Sequence, residues 1–161
     1  APQFCSVEEY LGRNTQPYYD VLARVGAGRW NPDRDARSWV RFILTAHFRH
    51  ATTLLMRTRE TDRAWQELER DVLRRGLPDR VMMALMDAVF GYKVRNATYR
   101  PMAEISDNMA SRDLKALVDA GLLIPHGEKR QRYYLGSDTV KAIRGKTRET
   151  GPIEAPFAPA A

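Results

Sequence analysis

Polar and charged residues recur at helical spacing between positions 108 and 119. The set falls at i, i+3, i+4, i+7 and i+11 and consists of Asn108, Ser111, Arg112, Lys115 and Asp119. These positions share one face of a helix. The opposite face carries Ala110, Leu114, Leu117 and Val118. Amide, hydroxyl and cationic side chains near the N-terminal end of an exposed helix can contact base edges and phosphates, so this face is a candidate DNA-reading surface.

A second group of cations follows the same helix. The stretches "LLIP" and "RYYL" predict two short strands, and the loop "HGEKRQ" joins them. Long cationic side chains on or beside this loop can reach a phosphate backbone or a minor groove. The candidate DNA-binding residues are therefore Asn108, Ser111, Arg112, Lys115, Lys129, Arg130 and Arg132. Each cation alone is typical of an ordinary solvated surface, and a basic turn usually serves solubility.

The elements around these residues follow a recognisable order. Ser106 can cap the polar helix, and Gly121 can end it. Upstream, the sequence predicts a helix opening at Pro78, a short strand "ATY" and a short helix "RPMAEI". Helix, turn, helix and basic hairpin together indicate a winged helix-turn-helix over residues 78–138. The pattern is more specific for this fold than for DNA contact, because a fold does not fix a function.

The first half of the chain has the periodicity of helices. Ser6 begins a capping box, "SVEE", which predicts a helix to about Val25. Asn31 and Pro32 open a second predicted helix that reaches about Arg57, and "RETDRAWQELERDVLRRG" predicts a third. We therefore expect a helical region over residues 1–77 and a mostly flexible tail over residues 139–161. The predicted fold class is mainly α: a helical bundle followed by a winged helix-turn-helix with a small β-hairpin.

Composition sets wider limits. The 161 residues are 43% hydrophobic, as in folded proteins, and the net charge of +6 is compatible with nucleic-acid contact without demanding it. The single cysteine, Cys5, permits no intrachain disulfide and no cysteine-based metal site, which favours a reducing compartment such as the cytoplasm. No run of eighteen apolar residues predicts a membrane-spanning helix, and the start does not have the pattern of a signal peptide.

Three other groups could do chemistry and are better explained by structure. His47 and His50 have a spacing that can place two imidazoles on a metal, but no third ligand is apparent, so packed helix histidines are favoured. "GAGR" at residues 26–29 lacks the lysine of a nucleotide-binding loop and is expected to be a turn between helices. Cys5 has no histidine nearby in sequence, which favours a passive thiol. The sequence therefore predicts no catalytic residue, no metal and no cofactor.

Two long stretches carry a family resemblance. "ASRDLKALVDAGLL" followed by "HGEKRQRYY" resembles the C-terminal winged helix of bacterial Fic-family proteins. "EEYLGRNTQPYYDVLARVGAGRWNPDRDARSWVRFILTAHFRHA" is similar to the helices that follow the active-site loop in that family. The resemblance spans most of residues 4–136.

The resemblance implies a function, although this sequence lacks the catalytic motif of the family. Fic proteins mostly transfer an adenylyl group from ATP to a hydroxyl, using a His-Pro-Phe segment and a Gly-Asn-Gly-Arg loop. Here none of His47, His50 and His126 is followed by proline, and the Gly-Asn-Gly-Arg loop does not occur. No catalytic residue can be carried over, so we expect a stretch from downstream of the active site. The implied role is a non-catalytic regulatory region whose winged helix binds double-stranded DNA.

An alternative remains open at this stage. The same region could recognise a protein target, or a second copy of itself, and so orient targets for adenylylation by a catalytic half. The long apolar helix is the candidate dimer interface. No membrane partner is expected.

Overall fold

The structure is a computed structural model that describes residues 7–29, 32–154 and 156–157. It is mainly helical, with a small two-stranded antiparallel sheet, as the sequence predicted. The elements are α1 (Glu8–Arg13), α2 (Thr15–Gly26), α3 (Arg37–Arg74), α4 (Met82–Val89), α5 (Asn96–Met102), α6 (Asp107–Asp119), β1 (Leu123–His126), β2 (Tyr133–Gly136) and α7 (Asp138–Thr147), with short 3-10 helices at Asp79–Val81 and Lys129–Gln131.

The chain divides into two compact units. The first comprises Ala1–Thr58 and Thr150–Ala161, and the second is Arg59–Glu149. The boundary therefore lies within α3, whereas the sequence placed it near Leu77. The reason is that Ala64, Leu68 and Val72, all on the second half of α3, are fully buried in the same core as the winged elements.

α3 is one helix of 38 residues, where the sequence predicted two. Neither glycine nor proline occurs between Arg37 and Arg74, so no residue interrupts the backbone hydrogen bonds. The helix begins later than predicted, at Arg37. There Asp35 accepts a hydrogen bond from the backbone N–H of Arg37 at 2.9 Å and stabilises the first turn. The predicted caps Ser6 and Asn31 lie outside the described residues.

The first predicted helix is also broken. Asn14 leaves helical geometry with φ −126° and ψ 38°, which separates α1 from α2. The side-chain amide of Asn14 donates to the carbonyl of Tyr10 at 2.8 Å, and so satisfies a carbonyl at the end of α1. The break reflects the tendency of asparagine to hydrogen-bond the nearby backbone instead of continuing a helix.

The described part of the first unit holds together through aromatic contacts instead of a buried core. Ala46 is the one buried residue among its described positions. Half-buried rings pack between α1, α2 and α3. The ring centroids of Tyr10 and Phe42 lie 6.2 Å apart, and those of Tyr18 and Trp39 lie 5.9 Å apart. Trp39 and Phe42 stack with their ring centroids 6.3 Å apart. The described part of this unit therefore gains little stability from apolar burial.

The second unit has a continuous core. It combines α3 with α4, α6, the hairpin and α7, and its fully buried large side chains are Tyr99, Leu68, Leu85, Leu114, Leu117, Leu122, Val72, Val81, Val94 and Val140. The strands pair antiparallel, from Leu123 opposite Gly136 to His126 opposite Tyr133. Each strand lies one residue later in the sequence than predicted. This arrangement of α4 to β2 is the helix-turn-helix with a hairpin that the sequence indicated.

Two local differences concern α5 and α7. The predicted strand "ATY" is helical and belongs to α5, whose first turn is capped by Thr98, which accepts from the N–H of Arg95 at 3.3 Å. The strand-like pairing falls instead at Val94, which exchanges two backbone hydrogen bonds with Tyr134. Within the predicted flexible tail, α7 buries Val140 and Ile143 against the core, so the folded unit continues to Glu149.

A buried carboxylate joins α3 to α7. Glu60 accepts from Arg144 Nη1 at 2.8 Å and from the N–H of Glu149 at 2.7 Å. Burial alone would raise the pKa of Glu60, but these two hydrogen bonds and the nearby cations hold the pKa below its ordinary value. A carboxylate with a lowered pKa stabilises the fold at neutral pH.

We expect Glu60→Gln to lower the free energy of unfolding by about 1–3 kcal/mol at pH 7, because it removes charge-assisted acceptors. The stabilisation is present above the unfolded-state pKa and is lost as pH falls through the lowered folded-state pKa. The difference between wild type and variant should therefore shrink below the ordinary pKa of 4.5. Urea denaturation from pH 7 to pH 3 measures this. Glu69→Gln, an exposed change on the same helix, is the control. A constant difference across this pH range would contradict the assignment.

Candidate nucleic-acid interface

α6 carries the predicted reading surface on its exposed side. Ser106 caps the helix by accepting from the N–H of Met109 at 3.3 Å, and Gly121, with φ 69°, follows its last turn. The buried side contains Ala110, Leu114 and Leu117, as predicted. The five outward positions are all exposed: Asn108, Ser111, Arg112, Lys115 and Asp119. The helical spacing therefore predicted correctly which side of α6 faces outward.

The exposed side chains differ in how they are held. Ser111 accepts from the amide of Asn96 at 2.8 Å, and the same amide donates to the carbonyl of Asp107 at 3.1 Å. Lys115 pairs with Asp119 at 2.6 Å, so part of its charge is balanced within the helix. Within the described part of the chain, no hydrogen bond or ion pair holds the side chain of Asn108 or Arg112. These two remain accessible to a ligand.

A buried carboxylate fixes the orientation of α6. Asp113 accepts two hydrogen bonds from Arg80, at 2.8 and 2.9 Å, and a third from the hydroxyl of Tyr99 at 2.9 Å. The Asp113 side chain is 5% exposed, so these bonds replace its solvation. We call Arg80, Tyr99 and Asp113 the Asp113 cluster. It ties the 3-10 helix at Asp79–Val81 and α5 to the buried face of α6.

The pKa of Tyr99 agrees with its role as a hydrogen-bond donor in the Asp113 cluster. Burial, followed by the hydrogen bond to Asp113, raises the pKa of Tyr99, so its hydroxyl remains a neutral donor. None of the three residues of this cluster was predicted from the sequence as part of a site. A signal was present, because Asp113 falls between Ala110 and Leu114 on the apolar side of the predicted helix. An aspartate at such a position needs a buried cationic or hydroxyl partner.

The hairpin presents cations near an aromatic pair. Lys129 and Arg132 are exposed, and Lys129 adopts a left-handed backbone with φ 48° in the 3-10 turn. Arg130 lies in the same turn, and its side chain is outside the described part. Tyr133 stacks on His126 with ring centroids 5.3 Å apart, and Lys93 Nζ lies 4.8 Å from the centre of the Tyr133 ring.

Lys93 is a cation that sequence analysis missed. The Val94–Tyr134 bridge places the residue that follows Lys93 directly opposite β2. Tyr134 packs on the core while Tyr133 stacks on His126, as expected because successive residues of a strand point to opposite faces. The interface candidates therefore extend from the hairpin loop to the segment before α5.

The other groups that the sequence singled out are the "GAGR" stretch, two histidines and Cys5. "GAGR" forms the turn after α2, with Ala27 and Gly28 in left-handed backbone at φ 46° and 74°. His47 is exposed, and His50 is half-buried. Within residues 7–29, 32–154 and 156–157, no three His, Cys, Asp or Glu side chains group as metal ligands. Cys5 lies outside these ranges.

No family model matches this chain, and neither a curated protein nor a solved structure shows significant similarity to it. None of the described helices is long and apolar enough to cross a membrane.

We expect Asp113→Asn to lower the free energy of unfolding by about 1–3 kcal/mol, because the amide cannot accept all three hydrogen bonds and leaves Arg80 without a counter-charge. Urea denaturation followed by circular dichroism measures the change. Asp119→Asn is the matched control: it is the same substitution on the same helix in an exposed pair, and it should cost at most about 0.5 kcal/mol. Equal effects of the two substitutions would show that the Asp113 cluster does not stabilise the unit.

Proposed function

We propose that this chain is the non-catalytic C-terminal regulatory region of a Fic-family protein, and that its winged helix binds double-stranded DNA. The family assignment rests on the resemblance across residues 4–136. The DNA assignment rests mainly on α6, which exposes Arg112 and Asn108 without partners among the described residues and is held in one orientation by the Asp113 cluster. A cytoplasmic, dimeric protein belongs to the same proposal.

The proposed contacts have distinct roles. Asn108, Ser111, Arg112 and Lys115 face the major groove, where amides and guanidinium groups can pair with base edges. Lys129, Arg130 and Arg132 contact the phosphate backbone from the hairpin. Ser111 is oriented by Asn96 and is therefore positioned before DNA arrives, whereas the exposed ion pair with Asp119 holds Lys115 only weakly. Such preorganisation lowers the entropy cost of binding.

The test is duplex DNA binding as a function of salt. We expect affinity to fall steeply as salt increases, because cations on the protein release counterions from the phosphates. Lys115→Ala should weaken binding about threefold to tenfold. Lys141→Ala is the matched control, since Lys141 is also an exposed helical lysine in a short ion pair, with Asp138. Fluorescence anisotropy with a random-sequence duplex measures both, and absence of binding at low salt would reject DNA binding.

A specific observation favours the alternative, a protein-recognition or dimerisation module that orients targets for a catalytic half. The first half of α3 exposes a line of large apolar side chains, Val40, Leu44, Phe48 and Leu55, each between 43% and 56% exposed. We call these four residues the apolar stripe. They lie close to one face of the helix, and contiguous exposed apolar surface commonly marks a protein interface.

If the apolar stripe mediates dimerisation, Leu44→Glu should shift the chain toward monomer, because it places a charge in the centre of the interface. Sedimentation velocity over a range of concentrations measures the shift. Leu73→Glu is the control, because Leu73 is also an exposed leucine of α3, at 65%, but lies outside the stripe. A chain that sediments as a monomer at every concentration would reject self-association through this surface.

A further inference from the structure

A basic cavity in the first unit is not used by the proposed winged-helix function. It lies between α1 and α3 and has a volume of about 90 Å³. One ordered water needs roughly 15 Å³ of such space, so the cavity can accept a ligand the size of a tetrahedral anion. Its walls come from one turn of α1 and about two turns of α3, all within residues 9–57.

Arginines dominate the charge of the cavity walls. Arg13, Arg49 and Arg57 line it, together with His50, whereas Glu9 is the one carboxylate among the lining residues. Apart from His50, the cavity walls carry three guanidinium groups and one carboxylate. The surplus of positive charge matches a dianion and disfavours a cation or a neutral ligand.

Two of the arginines lie on the same side of α3. Arg49 and Arg57 are eight residues apart on α3, about 12 Å along the helix axis, and Thr53 lies midway on the same face. Thr53 donates to the carbonyl of Arg49 at 2.8 Å, which fixes its hydroxyl. Arg49, Thr53 and Arg57 therefore form one continuous part of the cavity wall on α3.

α1 supplies the other wall. Arg13 pairs with Glu9 at 2.8 Å, but both side chains are well exposed, at 75% and 47%. Exposed pairs of this kind contribute little, so an incoming dianion can compete with Glu9 for Arg13. Tyr10 is held against Phe42, which gives this wall a fixed aromatic edge.

We propose that this cavity is a binding site for a phosphate group, either free phosphate or the phosphate of a small monoester. Phosphate offers several acceptor oxygens and two negative charges, and planar guanidinium groups bind it with paired hydrogen bonds. A carboxylate ligand would match the charge less well, since it carries one negative charge. The site lies in the first unit and does not depend on the winged helix.

The experiment is isothermal titration of the full chain with inorganic phosphate and, separately, with glycerol phosphate, at an ionic strength kept constant with sodium chloride. Saturable binding of both ligands supports recognition of a phosphate group, and binding of inorganic phosphate alone supports a free-anion site. If neither ligand binds in excess of chloride, the proposal is overturned.

Three variants assign the binding to this cavity. Arg49→Gln should weaken phosphate binding about tenfold, the usual effect of losing a charge-assisted hydrogen bond. Glu9→Gln should strengthen binding severalfold, because it releases Arg13 and removes the opposing charge. Loss of structure cannot produce such a gain. Arg59→Gln, an exposed arginine of α3 outside the cavity, is the control and should leave binding unchanged.

Equal weakening by Arg49→Gln and Arg59→Gln would overturn the assignment, as would weaker binding by Glu9→Gln. Arg112→Ala separates this site from the proposed DNA surface. It should leave phosphate affinity unchanged even if it abolishes DNA binding, and phosphate binding should persist if the chain does not bind DNA at all. A loss of phosphate affinity in Arg112→Ala would place the site elsewhere.

Discussion

The orientation of α6 within the second unit depends on one buried carboxylate, that of Asp113. A charged group with 5% of its side chain exposed must recover its lost solvation from nearby donors. Arg80 and Tyr99 supply three hydrogen bonds at 2.8 to 2.9 Å, and they come from different parts of the unit. Rotating α6 about its axis would break these bonds and bury an unpaired charge. The outward direction of Arg112 and Lys115 follows from this constraint.

The sequence predicted what local periodicity controls. The two faces of α6, the cap at Ser106 and the hairpin follow from residue spacing and from turn residues, and each agrees with the structure. The extent of the folded unit did not follow, because it depends on contacts between distant residues. Leu68 packs in the same core as Val140, and Glu60 pairs with Arg144, a separation of 84 positions. The switch of "ATY" from predicted strand to helix has the same origin, since burying Tyr99 beside Asp113 outweighs local strand propensity.

The two units gain stability in different ways. The second unit buries leucine and valine side chains from most of its elements, which is the usual source of cooperative stability. The described part of the first unit buries only Ala46 and exposes the apolar stripe. A helical unit with so little buried surface gains stability when another surface covers it. The apolar stripe is therefore the surface of the described part of this unit at which a covering partner would add most buried apolar area.

The distribution of charge gives the chain a few exposed cations but not a strongly positive surface. The chain has a net charge of +6, and several cations of the second unit are balanced by carboxylates close in sequence, as Lys115 is by Asp119. A broadly attractive surface is therefore not available to compensate for a missing contact. Under this constraint the proposed DNA contact would depend more on Arg112, whose side chain has no partner among the described residues, than on the total charge. The two proposed sites differ in the same respect, because the arginines of the first unit line a cavity of about 90 Å³, which is large enough for a small anion but not for a duplex.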